Sequence, residues 1–162
     1  MNTEMGEYLV GSWFEFIKDC DIVSYNVRFP GEGMEALNEF DVIGLNFKTS
    51  TAYLCEVATH ILGFVYGSRS EDSVSKIKRK FENQKNYASI YLESFKHIHF
   101  QFWSPRVAKK STVLLKEIEG LELVINEEYT VKVEQLKAEA KLITKMVNNP
   151  AFRLFQILEH LK

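Results

Sequence analysis

The sequence is short of the features that mark several protein classes. It has two cysteines and three prolines among 162 residues, and its formal net charge at pH 7 is only −2. Two cysteines without C-x-x-C spacing argue against a disulfide framework and a thiolate metal site, so we interpret Cys20 and Cys55 as buried, reduced thiols. The balanced charge gives no global basic field, and binding to nucleic acid would therefore need a local basic patch.

Long apolar stretches are also missing. No run approaches the ~20 residues that span a bilayer, and the start "MNTEMGEYLV" lacks the basic segment and apolar run of a secretory leader. We therefore expect a cytoplasmic protein that does not contact a membrane. The hydrophobic fraction of 46% suits one well-packed domain at this length, so we predict a single domain over residues 1–162.

Hydrophobic periodicity and turn residues predict nine elements in the order α-β-β-β-α-β-β-α-α. A first helix over about 4–20 precedes the strand "DIVSYNVRF" and a turn at "PGEGME". Two strands, about 36–46 and 52–59, are joined by the polar turn "FKTS", and a long helix then runs from "SRSEDS" to near Phe95. The runs "HIHFQFW" and "LELVIN" are the remaining strands, before helices over about 131–147 and from Asn149-Pro150 onward. This order favours an α/β fold with a central mixed sheet flanked by helices.

Three acids, Glu39, Asp41 and Glu56, interrupt the two apolar strands that "FKTS" joins. Side chains alternate across a strand, so Glu39 and Asp41 share one face. If the turn closes a tight hairpin, Asp41 lies opposite Glu56 and Glu39 lies opposite Ala58. Carboxylates opposed on adjacent strands repel, and burying them is costly unless a cation neutralises them. The oxygen-preferring ions Mg²⁺ and Mn²⁺ are suitable partners.

The stretch "NEFDVIGLN" followed by "YLCEVATH" resembles the core of the PD-(D/E)XK nuclease superfamily. The order of elements from the first helix through "HIHFQFW" is also similar to the αβββαβ core of its restriction-endonuclease-like fold. The resemblance implies that Asp41 and Glu56 are catalytic and hold metal, with Glu39 as an auxiliary acid and the carbonyl of Val57 as a further ligand. It also implies one or two Mg or Mn ions that activate water for phosphodiester cleavage.

The chain departs from this family at Ala58, where the motif has a lysine. Members with a relocated lysine usually supply it from a neighbouring element, and the long helix carries several candidates. Gln84 falls within the apolar stripe of that helix, and "QKNYASIY" is similar to a glutamine and tyrosine pattern that some members place beside the active site. We therefore predict that Gln84 or Lys85 completes the site, with Lys78 as a further candidate.

Each acid also has a plainer interpretation. Glu39 can be a solvated acid on an exposed strand face, and Asp41 with Glu56 can be ordinary surface or turn-linked acids. Gln84 can be a polar residue at the edge of the core that bonds to backbone.

The histidine pair and the basic run also have more than one interpretation. His97 and His99 share a strand face, but one H-x-H pair is a weak metal pattern and surface histidines explain it. The run "SKIKRKFENQK" is by default a solvated helix face. In a nuclease, some of its residues would contact phosphates together with Arg106, Lys109 and Lys110.

Two functions from different classes follow. The first is a metal-dependent nuclease that hydrolyses phosphodiester bonds in DNA, and the alternative is a catalytically inactive nuclease-fold module that binds nucleic acid or a protein partner.

The two C-terminal helices carry apolar stripes that must be buried against the sheet, the first helix or a second subunit. A homodimer is therefore left open. In the last helix the predicted stripe consists of Ala151, Leu154, Phe155, Leu158 and Leu161.

Overall fold

The computed structural model describes residues 2–28, 39–63 and 69–161. Within these ranges the chain forms an α/β fold of five strands and five helices. The strands are β1 (Ile22–Arg28), β2 (Glu39–Asn46), β3 (Thr51–Val57), β4 (His97–Ser104) and β5 (Leu121–Ile125). The helices are α1 (Met5–Phe16), α2 (Ser70–Tyr91), α3 (Lys109–Lys116), α4 (Glu127–Leu142) and α5 (Pro150–His160). All the described helices are too short or too polar to cross a bilayer.

The strands form one mixed sheet in the order β1-β2-β3-β4-β5. The strand β2 is antiparallel to both of its neighbours, β1 and β3, whereas β3, β4 and β5 run parallel. Parallel neighbours need a crossover, which α2 provides between β3 and β4 and α3 provides between β4 and β5. In the β2–β3 hairpin, pairing runs from Val42–Cys55 to Asn46–Thr51, and this confirms the predicted register for those pairs.

Helices cover both faces of the sheet. Phe102 and Trp103 are neighbours on β4, and both are fully buried in different core clusters. Trp103 packs in the layer that α1, α4 and α5 form, where Phe14 and Phe152 are also fully buried. Phe102 packs in the layer of α2 and α3, beside Ile77 and Leu115. The α/β class and the flanked mixed sheet are therefore as the sequence predicts.

Several parts of the sequence interpretation differ from the structure. The first helix, α1, ends at Phe16 and not near Cys20. The helix α3 was not expected, because an eight-residue segment rich in lysine and hydroxyl side chains gives a weak periodic signal. The helix α4 lies about four residues before the predicted span, at Glu127–Leu142. The predicted turn "PGEGME" and the first residues of the second strand, 36–38, lie outside the described residues.

The last helix begins as predicted but turns a partly different face inward. The Asn149 side chain accepts a hydrogen bond from the Phe152 N–H at 3.1 Å, which confirms the cap. The predicted apolar stripe is right for Ala151, which is buried, and for Phe155, which packs against the core. It is wrong for Leu154, Leu158 and Leu161, which are exposed. Phe152 sets the rotation of the helix by stacking on Phe16 of α1, with ring centroids 3.9 Å apart.

Candidate active site

Asp41 and Glu56 lie next to each other where the pairing of β2 and β3 ends. They are the residues that follow the last recorded pair of this ladder, Val42–Cys55. The Val57 N–H donates a hydrogen bond to Asp41 Oδ2 at 2.7 Å, so a carboxylate takes the place of a strand carbonyl as the acceptor. This bond fixes the orientation of the Asp41 side chain.

Lys80 brings a positive charge to these two acids from the opposite element. It lies near the middle of α2, and its ammonium group forms a direct ion pair with Glu56 Oε1. The same ammonium group lies 3.9 Å from Asp41 Oδ1. All three residues are buried, Glu56 at 3% exposure most deeply. The structure therefore joins two acids from adjacent strands to a lysine from a helix.

Burial governs the protonation of this cluster. Burial raises the pKa of Glu56 well above its ordinary value, and the Asp41 charge adds to that effect while Lys80 opposes it. Burial also raises the pKa of Asp41, against the opposing effects of Lys80 and the Val57 hydrogen bond. For Lys80, burial alone lowers the pKa, but the two carboxylates outweigh it and the net shift is upward. One ammonium group thus compensates two carboxyl groups only in part.

The cluster opens into a cleft of about 440 Å³. The cleft lies between α1, the ends of β2 and β3, and α2. Its lining consists of Glu4, Glu7, Asp41, Glu56, Val57, Ala58, Thr59, His60 and Lys80. Since it contains both charges of the ion pair and the backbone around Val57, it is where a ligand could reach them.

Besides Asp41 and Glu56, the cleft is lined by Glu4 and by Glu7, an acid that the sequence interpretation missed. The Glu7 carboxylate accepts hydrogen bonds from Asn26 Nδ2 at 3.0 Å and from the Glu4 N–H at 3.1 Å. Burial raises the pKa of Glu7, the Glu4 N–H lowers it, and the charge of Asp41 raises it further. The available signal was spacing, because Glu7 precedes Val10 and Phe14 by three and seven residues, on the buried stripe of α1.

The oxygen atoms of this cluster are of the kind that a divalent, oxygen-preferring ion binds, and the metal site itself stays a prediction. Glu56 Oε2 is buried and accepts no hydrogen bond from an N–H or O–H group of the described residues. The Asp41 and Glu56 carboxyl groups lie within hydrogen-bonding reach of each other, so a shared proton or a cation can compensate them. Asp41, Glu56 and the Val57 carbonyl offer oxygen donors alone, the ligand type that Mg²⁺ and Mn²⁺ select. Within the described ranges, no group of three or more His, Cys, Asp or Glu side chains is arranged to hold a metal.

Glu39 occupies a different environment from the one expected of either a ligand or a solvated acid. It is 7% exposed, and its carboxylate lies 3.9 Å from the guanidinium group of Arg28, its partner on β1. It does not line the acidic cleft as described. The solvated interpretation of Glu39 is therefore wrong, whereas its role as an auxiliary ligand stays a prediction.

The helix residues that we selected are placed differently from Lys80. Gln84 is 1% exposed, one turn beyond Lys80 on the buried face of α2. Lys85 is half exposed, and its ammonium group pairs with Glu82 at 2.8 Å and lies 4.7 Å from the centre of the Phe81 ring. Lys78 is exposed on the same helix. The described contacts thus bring Lys80, and not Lys78 or Lys85, to the acids.

The histidines of β4 belong to a separate polar cluster. His99 Nδ1 lies 2.6 Å from Glu122 Oε1, and Gln101 Nε2 donates to Glu122 Oε2 at 2.7 Å. The His99 ring stacks on Tyr53, with centroids 5.1 Å apart. His97 is exposed at the start of the strand. These contacts account for His99 through neighbouring side chains, as the surface interpretation expects.

Comparisons with known proteins identify no relative of this chain. No family model, no curated protein and no solved structure matches it. Its function has to be inferred from the contacts of Asp41, Glu56 and Lys80 and from the cleft around them.

Proposed function

We propose that this protein is a metal-dependent nuclease that hydrolyses phosphodiester bonds in DNA. One observation carries the proposal: Lys80 reaches Glu56 and Asp41 from α2. The PD-(D/E)XK motif places its lysine two residues after the glutamate, and Ala58 occupies that position here. A lysine from the neighbouring helix supplies the same charge beside the same pair of acids.

The order of the elements supports a restriction-endonuclease-like core. From α1 to β4 the chain follows αβββαβ, with an antiparallel β2–β3 hairpin and a parallel β4 after the α2 crossover. The acids lie at the end of the hairpin that carries them in that superfamily. The remaining helices, α3, α4 and α5, are additions to this order.

The side chains have distinct roles in such a reaction. Asp41 and Glu56 would hold a Mg or Mn ion, with the Val57 carbonyl as a further ligand. A divalent ion bound there supplies a Lewis acid that favours attack by water and stabilises charge on the phosphate. The Val57 N–H keeps Asp41 oriented, and the Lys80 ammonium group can donate hydrogen bonds to a water molecule or to a phosphate oxygen. Burial of the cluster strengthens each of these interactions.

One observation also favours the alternative of a catalytically inactive module. Lys80 already compensates Glu56 directly, so the cluster can be held together as a buried ion pair without any metal. In that case the cleft and the basic residues of α2 would bind nucleic acid or a protein without cleaving it. Cleavage and binding therefore have to be measured separately.

The test is cleavage of supercoiled and end-labelled linear DNA with Mg²⁺, Mn²⁺ or chelator. We expect divalent-dependent cleavage that falls by about 10²-fold or more in Glu56→Gln and Lys80→Met. Lys78→Met is the matched control, because Lys78 is an exposed lysine on the same helix. Activity that survives Glu56→Gln, or that Lys78→Met removes equally, would contradict the assignment. Binding without cleavage by the wild-type protein would favour the inactive module.

A further inference from the structure

The end of β3 leads into a short turn with two highly exposed apolar side chains. Ile61 and Leu62 are 83% and 95% exposed, more than any other large apolar residue in the described part of the chain. The two residues before them, Thr59 and His60, line the acidic cleft. Exposed apolar surface beside a polar site commonly marks a contact with a ligand.

The geometry of this turn holds both side chains outward. The Gly63 N–H donates a hydrogen bond to the His60 carbonyl at 3.1 Å, so Ile61 and Leu62 are the two corner residues. Gly63 has a φ of 113°, which favours glycine and closes the turn without strain. A side chain at Gly63 would contact the carbonyl oxygen of Arg106, so the turn ends beside the connection between β4 and α3.

We propose that Ile61 and Leu62 form a wedge that packs against unstacked bases next to the phosphate being cleaved. This inference rests on the proposed nuclease function and adds a substrate class to it, DNA whose base stack is interrupted by a gap, a flap or a junction. Leucine and isoleucine are among the residues that DNA-binding proteins insert between base steps. Insertion costs a few kcal/mol of unstacking in a continuous duplex and least where the stack is already open. The wedge therefore favours interrupted DNA.

The size and surroundings of the wedge favour a base over a protein as its occupant. A stable protein interface takes about 800 Å² from each partner, and two side chains supply only a small part of that area. The cleft that Thr59 and His60 line contains carboxyl groups and the Lys80 ammonium group, which would need many matched polar partners in a protein interface. A base offers an apolar face of the right size, attached to a phosphate that belongs in the cleft.

The experiment measures DNA binding and base unstacking with the full chain in Ca²⁺. The probes are a continuous duplex and the same duplex with a central one-nucleotide gap, each with 2-aminopurine at the central step. The test variant is Ile61→Ser with Leu62→Ser, and the control is Leu142→Ser, a leucine that is 76% exposed at the end of α4. Serine substitution of side chains this exposed should leave the fold intact.

We expect wild type and Leu142→Ser to bind gapped DNA about tenfold more tightly than continuous duplex, with increased 2-aminopurine emission. The double variant should lose that preference and the emission change, while its affinity for continuous duplex stays within about twofold. Retention of the gap preference by the double variant would overturn the wedge. A double variant that differs from wild type in its mass in solution, but not in its DNA binding, would also overturn it. If the wild type prefers neither DNA but still cleaves both, the wedge alone fails. If it neither binds nor cleaves DNA, the proposed nuclease function fails with it.

Discussion

Lys80 and Glu56 form a direct ion pair between α2 and β3, 24 residues apart in the chain. Both side chains are buried, and Asp41 Oδ1 lies 3.9 Å from the same ammonium group. The cluster thus contains one cationic side chain and two acidic side chains. Its behaviour when a charge is removed or added is the most direct test of the site.

Removing the cation should destabilise the metal-free protein. In Lys80→Met, Glu56 and Asp41 would be left in a buried site without compensation, and we expect the free energy of unfolding to fall by about 3 kcal/mol. Millimolar Mn²⁺ should recover part of this loss and should raise the melting temperature of the variant more than that of wild type. Thermal unfolding with chelator and with Mn²⁺ measures both effects. Equal shifts for Lys80→Met and the exposed control Lys78→Met would contradict this prediction.

Removing one acid should have the opposite effect. Glu56→Gln keeps an oxygen acceptor for Lys80 and removes the repulsion between the charges of positions 56 and 41. The free energy of unfolding of the metal-free variant should therefore rise by about 1 kcal/mol for each unit by which that repulsion had raised a carboxyl pKa. The same change removes a ligand, so Mn²⁺ should no longer stabilise the protein. Denaturant unfolding of Glu56→Gln beside the exposed control Glu119→Gln, each with and without Mn²⁺, tests this. Parallel responses of wild type and Glu56→Gln to the metal would rule out the carboxylate site.

The raised pKa values of Glu56, Asp41 and Glu7 predict an unusual dependence of stability on pH. A carboxyl group whose pKa is raised by folding binds its proton more tightly in the folded state. The stabilisation that such a group gives the folded state is fully present below its unfolded pKa of about 4, and it is lost as the pH rises through its higher folded pKa. The metal-free protein should therefore lose stability as the pH rises above about 4, and Glu56→Gln should lose less. Denaturation midpoints across that rise in pH provide the measurement, and identical slopes for the two proteins would refute the prediction.

A double-mutant cycle can test whether Lys80 stands in for a lysine at position 58. Ala58 is 2% exposed, lines the cleft and packs near Ile77 and Phe102. Ala58→Lys should destabilise the protein by several kcal/mol, since it adds bulk and a second ammonium group beside Lys80. The double variant, Ala58→Lys with Lys80→Ala, lacks the repulsion between the two ammonium groups. We therefore expect it to be more stable, by about 1 kcal/mol or more, than the sum of the two single effects on the free energy of unfolding. Strictly additive unfolding energies would show that the two positions do not share a site.

The C-terminal helix should depend strongly on the side chain of Phe152. Phe152 is fully buried and stacks on Phe16 of α1, and Phe152→Ala should cost about 3–5 kcal/mol. Leu158→Ala on the same helix is the control, because Leu158 is about half exposed and should change stability by less than about 1 kcal/mol. Urea denaturation of both variants measures the difference. A larger loss for Leu158→Ala would mean that the helix packs through its predicted stripe after all.

The hairpin that carries the acids was predictable because its geometry is local. The short "FKTS" turn fixes the register of β2 against β3, and that register alone brings Asp41 beside Glu56. The pairing of Glu39 with Arg28 was not predictable, because the strand that meets β2 on its other side is a matter of tertiary arrangement. The same holds for the rotation of α5, which Phe16 determines from the other end of the chain.

Lys80 was missed although the sequence contains a signal for it. It follows Ile77 by three residues and precedes Gln84 by four, so it lies on the buried stripe of α2. A lysine is rarely buried unless it is paired, and that expectation identifies it as the partner of an acid elsewhere. Within a run of four basic residues in five, composition suggested a solvated face and obscured the spacing.

The two tryptophans of the chain, Trp13 and Trp103, both lie in the layer that α1, α4 and α5 form, with ring centroids 6.0 Å apart. Intrinsic emission of the protein therefore comes from one side of the sheet, whereas α2 and the candidate lysine lie on the other. Circular dichroism at the helical bands, in contrast, samples both layers. If the two optical signals change at the same denaturant concentration, the layers unfold as one cooperative unit. If ellipticity is lost first, α2 detaches while the tryptophan layer stays folded, and the acids lose their cation before the sheet comes apart.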